Sequence, residues 1–152
     1  MAIADNVSMN SKLALLFVKT SMLYLIIGSI LLFISFTSVV PIEHDTIFIM
    51  ELYGFVTMMI FGLSYIFIPG LSHSGFANYK LVEIEFALMN IGVISIVISM
   101  LQLVPSQAVK IIAPIAFVAL LLGILIHVVN ILKMVSKKNV TAKAPNGGAS
   151  HL

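Results

Sequence analysis

The chain contains no cysteine, no tryptophan and no arginine. Without cysteine there is no disulfide, no thiolate metal ligand and no cysteine nucleophile. Without arginine, and with its 8 basic residues scattered as lysines, it has no footprint for nucleic acid. Charge of either sign is scarce, at 9% of residues, where a soluble domain carries roughly a quarter. Hydrophobic residues fill that space, at 61% of 152 residues. A soluble fold of this size has no interior large enough to hide them, so the lipid bilayer is the expected solvent and one domain the expected organisation. No Ser/His/Asp set, phosphate-binding loop or His-Glu-x-x-His spacing is present, so the chain is not expected to be an enzyme by itself.

What the sequence does have is four apolar runs, each near the roughly 20 residues that a bilayer core requires. They cover about 13–40, 46–69, 81–104 and 110–134. Punctuation follows each: Val40-Pro41, Pro69-Gly70, Pro105-Ser106, and the lysine-rich stretch after Leu132. The first run is too long for a signal-peptide core and lacks a small-x-small cleavage site, so a permanent anchor is expected. The expected fold is all-α, an integral-membrane four-helix bundle over 1–135, with 136–152 as a flexible polar tail. Lysines predict its orientation. With four crossings, Lys12, Lys19, Lys80, Lys133, Lys137, Lys138 and Lys143 share one side, and Lys110 alone takes the other. Both termini are therefore expected in the cytoplasm, in a multi-pass protein of the plasma membrane. The segments 27–35 and 91–99 share Ile, Gly, Ile, Ile and Ser in register, a pattern open to both internal duplication and chance.

Helices in lipid associate through close packing, so small residues mark contacts. Gly28, Gly54, Gly62, Gly92 and Gly123 supply one or more per span. Helical spacing extends two of them into stripes: Ala116, Ala119, Gly123, His127 and Asn130 on the fourth span, and Glu51, Phe55, Met58, Gly62 and Tyr65 on the second. These stripes are expected to face protein, within the chain or on other integral-membrane subunits.

Ionisable groups at bilayer depth invite functional readings. His127 precedes Lys133 by six residues, roughly 9 Å along a helix. Tyr65, Asn90, His127 and Asn130 are expected at similar depth, with Glu83 beneath Asn90 on one helix face. Such a cluster reads either as an interhelical hydrogen-bond set or as a proton-conducting or cofactor-binding pocket. Glu83 and Glu85 read as helix-start carboxylates. Glu43, His44, Asp45 and Glu51 lie near one mouth of the second span and offer a divalent cation carboxylate and imidazole ligands; a solvated acidic loop is the alternative. Met50, Met58, Met59 and Met100 are thioethers open to Cu(I), or apolar filler. His127 is the one histidine well inside a span, since His44, His73 and His151 lie at an edge, in a loop and in the tail. It is the residue on which a haem b would depend.

The stretch "LYGFVTMMIFGLSYIFIP" (52–69), followed by "EFALMNIGVI" (85–94), resembles small multi-span proteins related to the catalytic subunit of haem-copper oxidases and nitric oxide reductases. The likeness covers about a third of the chain. It implies a helical membrane scaffold in which the family's histidine ligands, expected around Ile47–Ile49 and at Ile66, are replaced by apolar residues. In general character the chain is also similar to small accessory subunits of archaeal membrane enzymes such as ammonia monooxygenase. These resemblances imply a non-catalytic subunit of a larger oxidase or monooxygenase complex. A small membrane cytochrome using His127 and a small transporter or proton channel are the alternatives.

Overall fold

The computed structural model describes residues 2–37, 44–72 and 78–141, with side chains over 11–37, 44–69 and 78–136. All regular structure among the described residues is helical. The element α1 covers Ala2–Phe36. The second span is compound: α2 over His44–Ile49, a π-helical segment over Met50–Thr57, and α3 over Met58–Ser72. Then come α4, Tyr79–Met100, and α5, Ser106–Thr141. Four stretches are long and apolar enough to cross a bilayer: Ser11–Phe36, His44–Pro69, Tyr79–Met100 and Ser106–Ser136. The shortest, 22 residues, reaches about 33 Å at 1.5 Å per residue, enough for a hydrocarbon core. Large apolar side chains point outward along every span, among them Ile26, Phe33, Phe67, Ile91, Ile115 and Leu132. This pattern is compatible with a membrane protein, in which a helix satisfies its own backbone groups within one segment.

Several helix ends differ from the punctuation. Asn78 starts α4, its side chain accepting a hydrogen bond from the Lys80 amide at 3.2 Å. At the other end the Leu103 amide bonds the Ile98 carbonyl at 3.2 Å, and Gln102 takes a left-handed φ of 55°. That is a Schellman-type stop built on glutamine in place of the usual glycine. The fourth span begins at Ser106, with the Pro105 carbonyl accepting from the Ala108 and Val109 amides. Pro114 therefore lies a little over two turns inside α5; it cannot donate to the Lys110 carbonyl, and it sits on the exposed side. Pro69 likewise lies inside α3, which continues to Ser72. Helix α5 runs on to Thr141, into the segment expected as a polar tail; residues 142–152 lie outside the described residues, as do Pro41, Glu43 and His73.

The chain forms two hairpins. The first pairs α1 with the compound span, and the second pairs α4 with α5. They cross so that α3 meets α5 at one end, while α2 and the π-helical segment meet α4 at the other. The glycines sit at these approaches. A Cβ on Gly62 would fall 2.9 Å from the Ala14 carbonyl oxygen and equally close to Phe17 and Val18. One on Gly92 would fall 2.6 Å from Leu120 Cγ and 3.1 Å from the Ala116 carbonyl oxygen. Gly28 and Gly92, the paired glycines of the two similar segments, each face the following span: Glu51 and Met50 in the first hairpin, Leu120 and Ala116 in the second.

The π-helical segment changes which face of the second span is inward. Its i→i+5 bonding takes up more residues per turn than an α-helix, and the Thr57 hydroxyl donates to the Leu52 carbonyl, five residues back, at 2.8 Å. Upstream of Met58 the buried positions are therefore Gly54, Met50, Ile47 and Thr46, whereas Glu51 and Phe55 are only half-buried. The stripe drawn at α spacing holds for Met58, Gly62 and Tyr65 and slips by one residue above them. Gly54 thereby becomes the seat of the Tyr24 ring, whose Cγ would lie 2.7 Å from an added Cβ.

Two glycine substitutions test this packing. Gly62→Ala meets backbone, so α1 and α3 must separate, at about 1–3 kcal/mol of stability. Gly123→Ala meets the flexible thioether of Met89 at 2.9 Å, and removing a glycine from a helix returns roughly 0.5–1 kcal/mol, so it is expected near neutral. Thermal unfolding of the two variants in one detergent measures the difference.

Candidate functional site

Where α3, α4 and α5 meet, five polar side chains close on one another inside an otherwise apolar interior. Helix α4 turns Val82, Glu85, Met89, Gly92, Val93 and Ile96 inward, and this periodicity carries a carboxylate into the bundle. Glu85 is wholly buried. Its Oε2 accepts a 2.5 Å hydrogen bond from the Tyr65 hydroxyl of α3, and its Oε1 lies 3.0 Å from Nδ1 of His127 on α5. The Tyr65 oxygen in turn accepts from the Asn130 amide at 3.3 Å. The second imidazole nitrogen, Nε2, lies 3.2 Å from Ser64 Oγ. Each group is thus matched by partners of the right kind, as burial of a carboxylate requires.

Aromatic rings wall the cluster. Phe61 stacks on the His127 imidazole, with centroids 3.7 Å apart and planes 6° from parallel, and Tyr65 meets the same imidazole edge-on at 5.1 Å. Behind them Phe17 of α1 packs on Phe61, Tyr65 and Phe86. All four spans thus contribute to the cluster or its wall.

One proton in this set has two places to go. The Ser64 hydroxyl is 2.8 Å from the Phe61 carbonyl and 3.2 Å from His127 Nε2, and it owns a single hydrogen. When Ser64 donates to Nε2, His127 is neutral and donates from Nδ1 to Glu85. When Ser64 donates to the Phe61 carbonyl, Nε2 is free to carry a proton and donate it to Ser64. The Ser64 hydroxyl can therefore donate to the Phe61 carbonyl or to the imidazole, but not to both.

The sequence-derived candidates fall in different places. Tyr65, His127 and Asn130 come together. Asn90 does not join them: its side-chain oxygen accepts from the Tyr24 hydroxyl at 3.0 Å and its amide donates to the Phe86 carbonyl at 2.8 Å, tying α4 to α1. Glu83 is exposed, and the carboxylate of the cluster is Glu85. Stepping back seven residues from Asn90 reaches Glu83, whereas the same step from Gly92 reaches Glu85, and Gly92 marks the face that packs on α5. The small-residue stripe was thus the signal for Glu85. Ser64 and Phe61 had no signal beyond their neighbourhood to Tyr65. Ala119 and Gly123 lie buried on α5, with Gly123 against Met89.

Glu51 is half-buried, and its Cγ would lie 3.1 Å from a Cβ on Gly28. It faces α1, without a hydrogen-bond partner among the described residues. His44 and Asp45 are exposed. No three His, Cys, Asp or Glu side chains gather to hold a metal ion among the described residues. Compared with family models, with curated proteins and with solved structures, the chain matches none.

Truncating the carboxylate leaves His127 and Tyr65 facing a void. Glu85→Ala is expected to lose about 3 kcal/mol, the scale on which buried pairs break. Asn130→Ala is expected to lose well under 1 kcal/mol, the usual worth of one interhelical hydrogen bond. A double-mutant cycle of Glu85 and His127 in detergent unfolding measures their coupling.

Proposed function

We propose that the chain is a non-catalytic integral-membrane subunit of a larger respiratory or metal-dependent oxidase or monooxygenase complex, contributing assembly and stability. The observation that carries this reading is the closure of the Glu85 cluster. These buried polar groups bind one another across three helices, and so serve the fold. The exterior is left long, apolar and available to lipid and to other membrane subunits. The resemblance of 52–69 and 85–94 to the oxidase scaffold supports the class of host complex. Both termini lie in the cytoplasm in this reading, by the lysine distribution, and the plasma membrane is the host membrane.

Two measurements test it. In gently solubilised source membranes, the chain is expected to co-migrate in stoichiometric amount with catalytic subunits, identified by mass spectrometry of the native-size band. Glu85→Gln is expected to lower the amount assembled while leaving activity per assembled complex unchanged. Migration as a free species, or normal assembly with lost activity, overturns the proposal.

A proton-handling role is the second reading, favoured by the two settings of the Ser64 hydroxyl. A haem b on His127 has less support, because the ring nitrogens are engaged by Glu85 and Ser64 and one ring face is covered by Phe61. For topology, the absence of native cysteine makes single-cysteine labelling direct. Gln107→Cys is expected to react with an impermeant maleimide added to intact cells, and Ser136→Cys only after permeabilisation; both sites are exposed.

A further inference from the structure

At the end of the bundle remote from the Glu85 cluster, a cleft of about 710 Å³ opens between the second span, the end of α4 and the start of α5. Its volume lies within the range of ligand pockets. Ile49, Ile96, Met100 and Phe117 give it apolar walls. Its polar groups gather at the α4–α5 turn, where Gln102, Ser106 and Lys110 line it. The cleft has no acidic lining residue, and Lys110 has no ion-pair partner among the described residues. The first turn of α5 adds the positive end of the helix dipole.

The chemistry runs in one direction along the cleft. Lys110 and the start of α5 are cationic and polar; Phe117, seven residues further along α5, lies about 10 Å deeper among apolar side chains. A molecule matching both ends has an anionic head and a hydrocarbon tail. We propose that this cleft is a binding site for one anionic phospholipid, its phosphate on Lys110 and its acyl chain along Ala113 and Phe117. The inference rests on the spanning of a membrane by these helices and is independent of the host complex. A free anion accounts for Lys110 alone and leaves the apolar walls unexplained; a neutral lipid leaves the lysine unexplained.

The test uses the full chain reconstituted in nanodiscs containing equal amounts of dioleoyl phosphatidylglycerol and dioleoyl phosphatidylcholine. Protein is re-extracted in mild detergent and its retained lipids are measured by native mass spectrometry. The wild type is expected to retain phosphatidylglycerol about fivefold over phosphatidylcholine, the ratio one near-surface lysine supports. Lys110→Gln is expected to bring the ratio near one, and Lys133→Gln, an exposed lysine toward the other end of α5, to leave it unchanged. Ala113→Trp fills the cleft and is expected to lower the retention of both lipids. Equal retention by the wild type, an unaltered ratio in Lys110→Gln, or displacement of the lipid by millimolar inorganic phosphate overturns the proposal. Lys110→Gln alters an exposed side chain, so it remains decisive if Ala113→Trp fails to fold. Carbonate-resistant recovery of the chain in the membrane fraction separates failure of the lipid site from failure of the spanning reading.

Discussion

A carboxylate enclosed by protein must be met by hydrogen-bond donors, and at Glu85 those donors come from two other helices. Tyr65 reaches it from α3 and His127 from α5. Neither helix is free to rotate or slide without stranding a buried polar partner, a penalty that rises as the surroundings become less polar. The hydrogen bonds therefore define the depth and rotation of three helices at once. The apolar packing around them, from Phe17 to Met89, is compatible with many small shifts; this polar set is compatible with very few.

Such a constraint is useful only where the backbones approach closely enough for short side chains to meet. Gly62 brings α3 onto α1, and Gly92 brings α4 onto α5. The π-helical segment gives the second span two inward faces in succession. One presents Met50 and Gly54 to α1, and the next buries Met58 and brings Phe61 and Tyr65 to the cluster. An uninterrupted α-helix would have turned Glu51 and Phe55 further inward and moved Gly54 away from Tyr24. The Tyr24–Asn90 bond, the second tie between the hairpins, thus depends on a local change of helical pitch.

The four apolar helices were legible in the sequence because they depend on composition along the chain, and a helix long and apolar enough to cross a bilayer carries that composition on every turn. The buried face of α5 was legible for a related reason: Ala116, Ala119, Gly123, His127 and Asn130 mark it with small and polar residues in an apolar background, at a spacing set by helix geometry. The inward face of α4 was harder to read, because Glu83 and Glu85 are close in sequence and both suit a helix start. Only their relation to Gly92 distinguishes them. The upper half of the second span was legible only in part: Glu51 meets α1 at Gly28 and Phe55 packs against the core, but both are half-buried, because a stripe drawn at α spacing has no means of registering a π turn that buries Met50 and Gly54.

The sequence by itself determined that this protein has four apolar helices, their approximate limits, and the small residues at which they meet. These follow from one-dimensional regularities: length against bilayer thickness, and side-chain size at helical period. Tertiary structure decided which carboxylate is buried, which partners it has, and that Asn90 serves a different contact from His127. It also placed Lys110 beside an apolar cleft. Those outcomes depend on the rotation of each helix about its axis and on how the hairpins cross, which are set by simultaneous contacts among residues far apart in the chain.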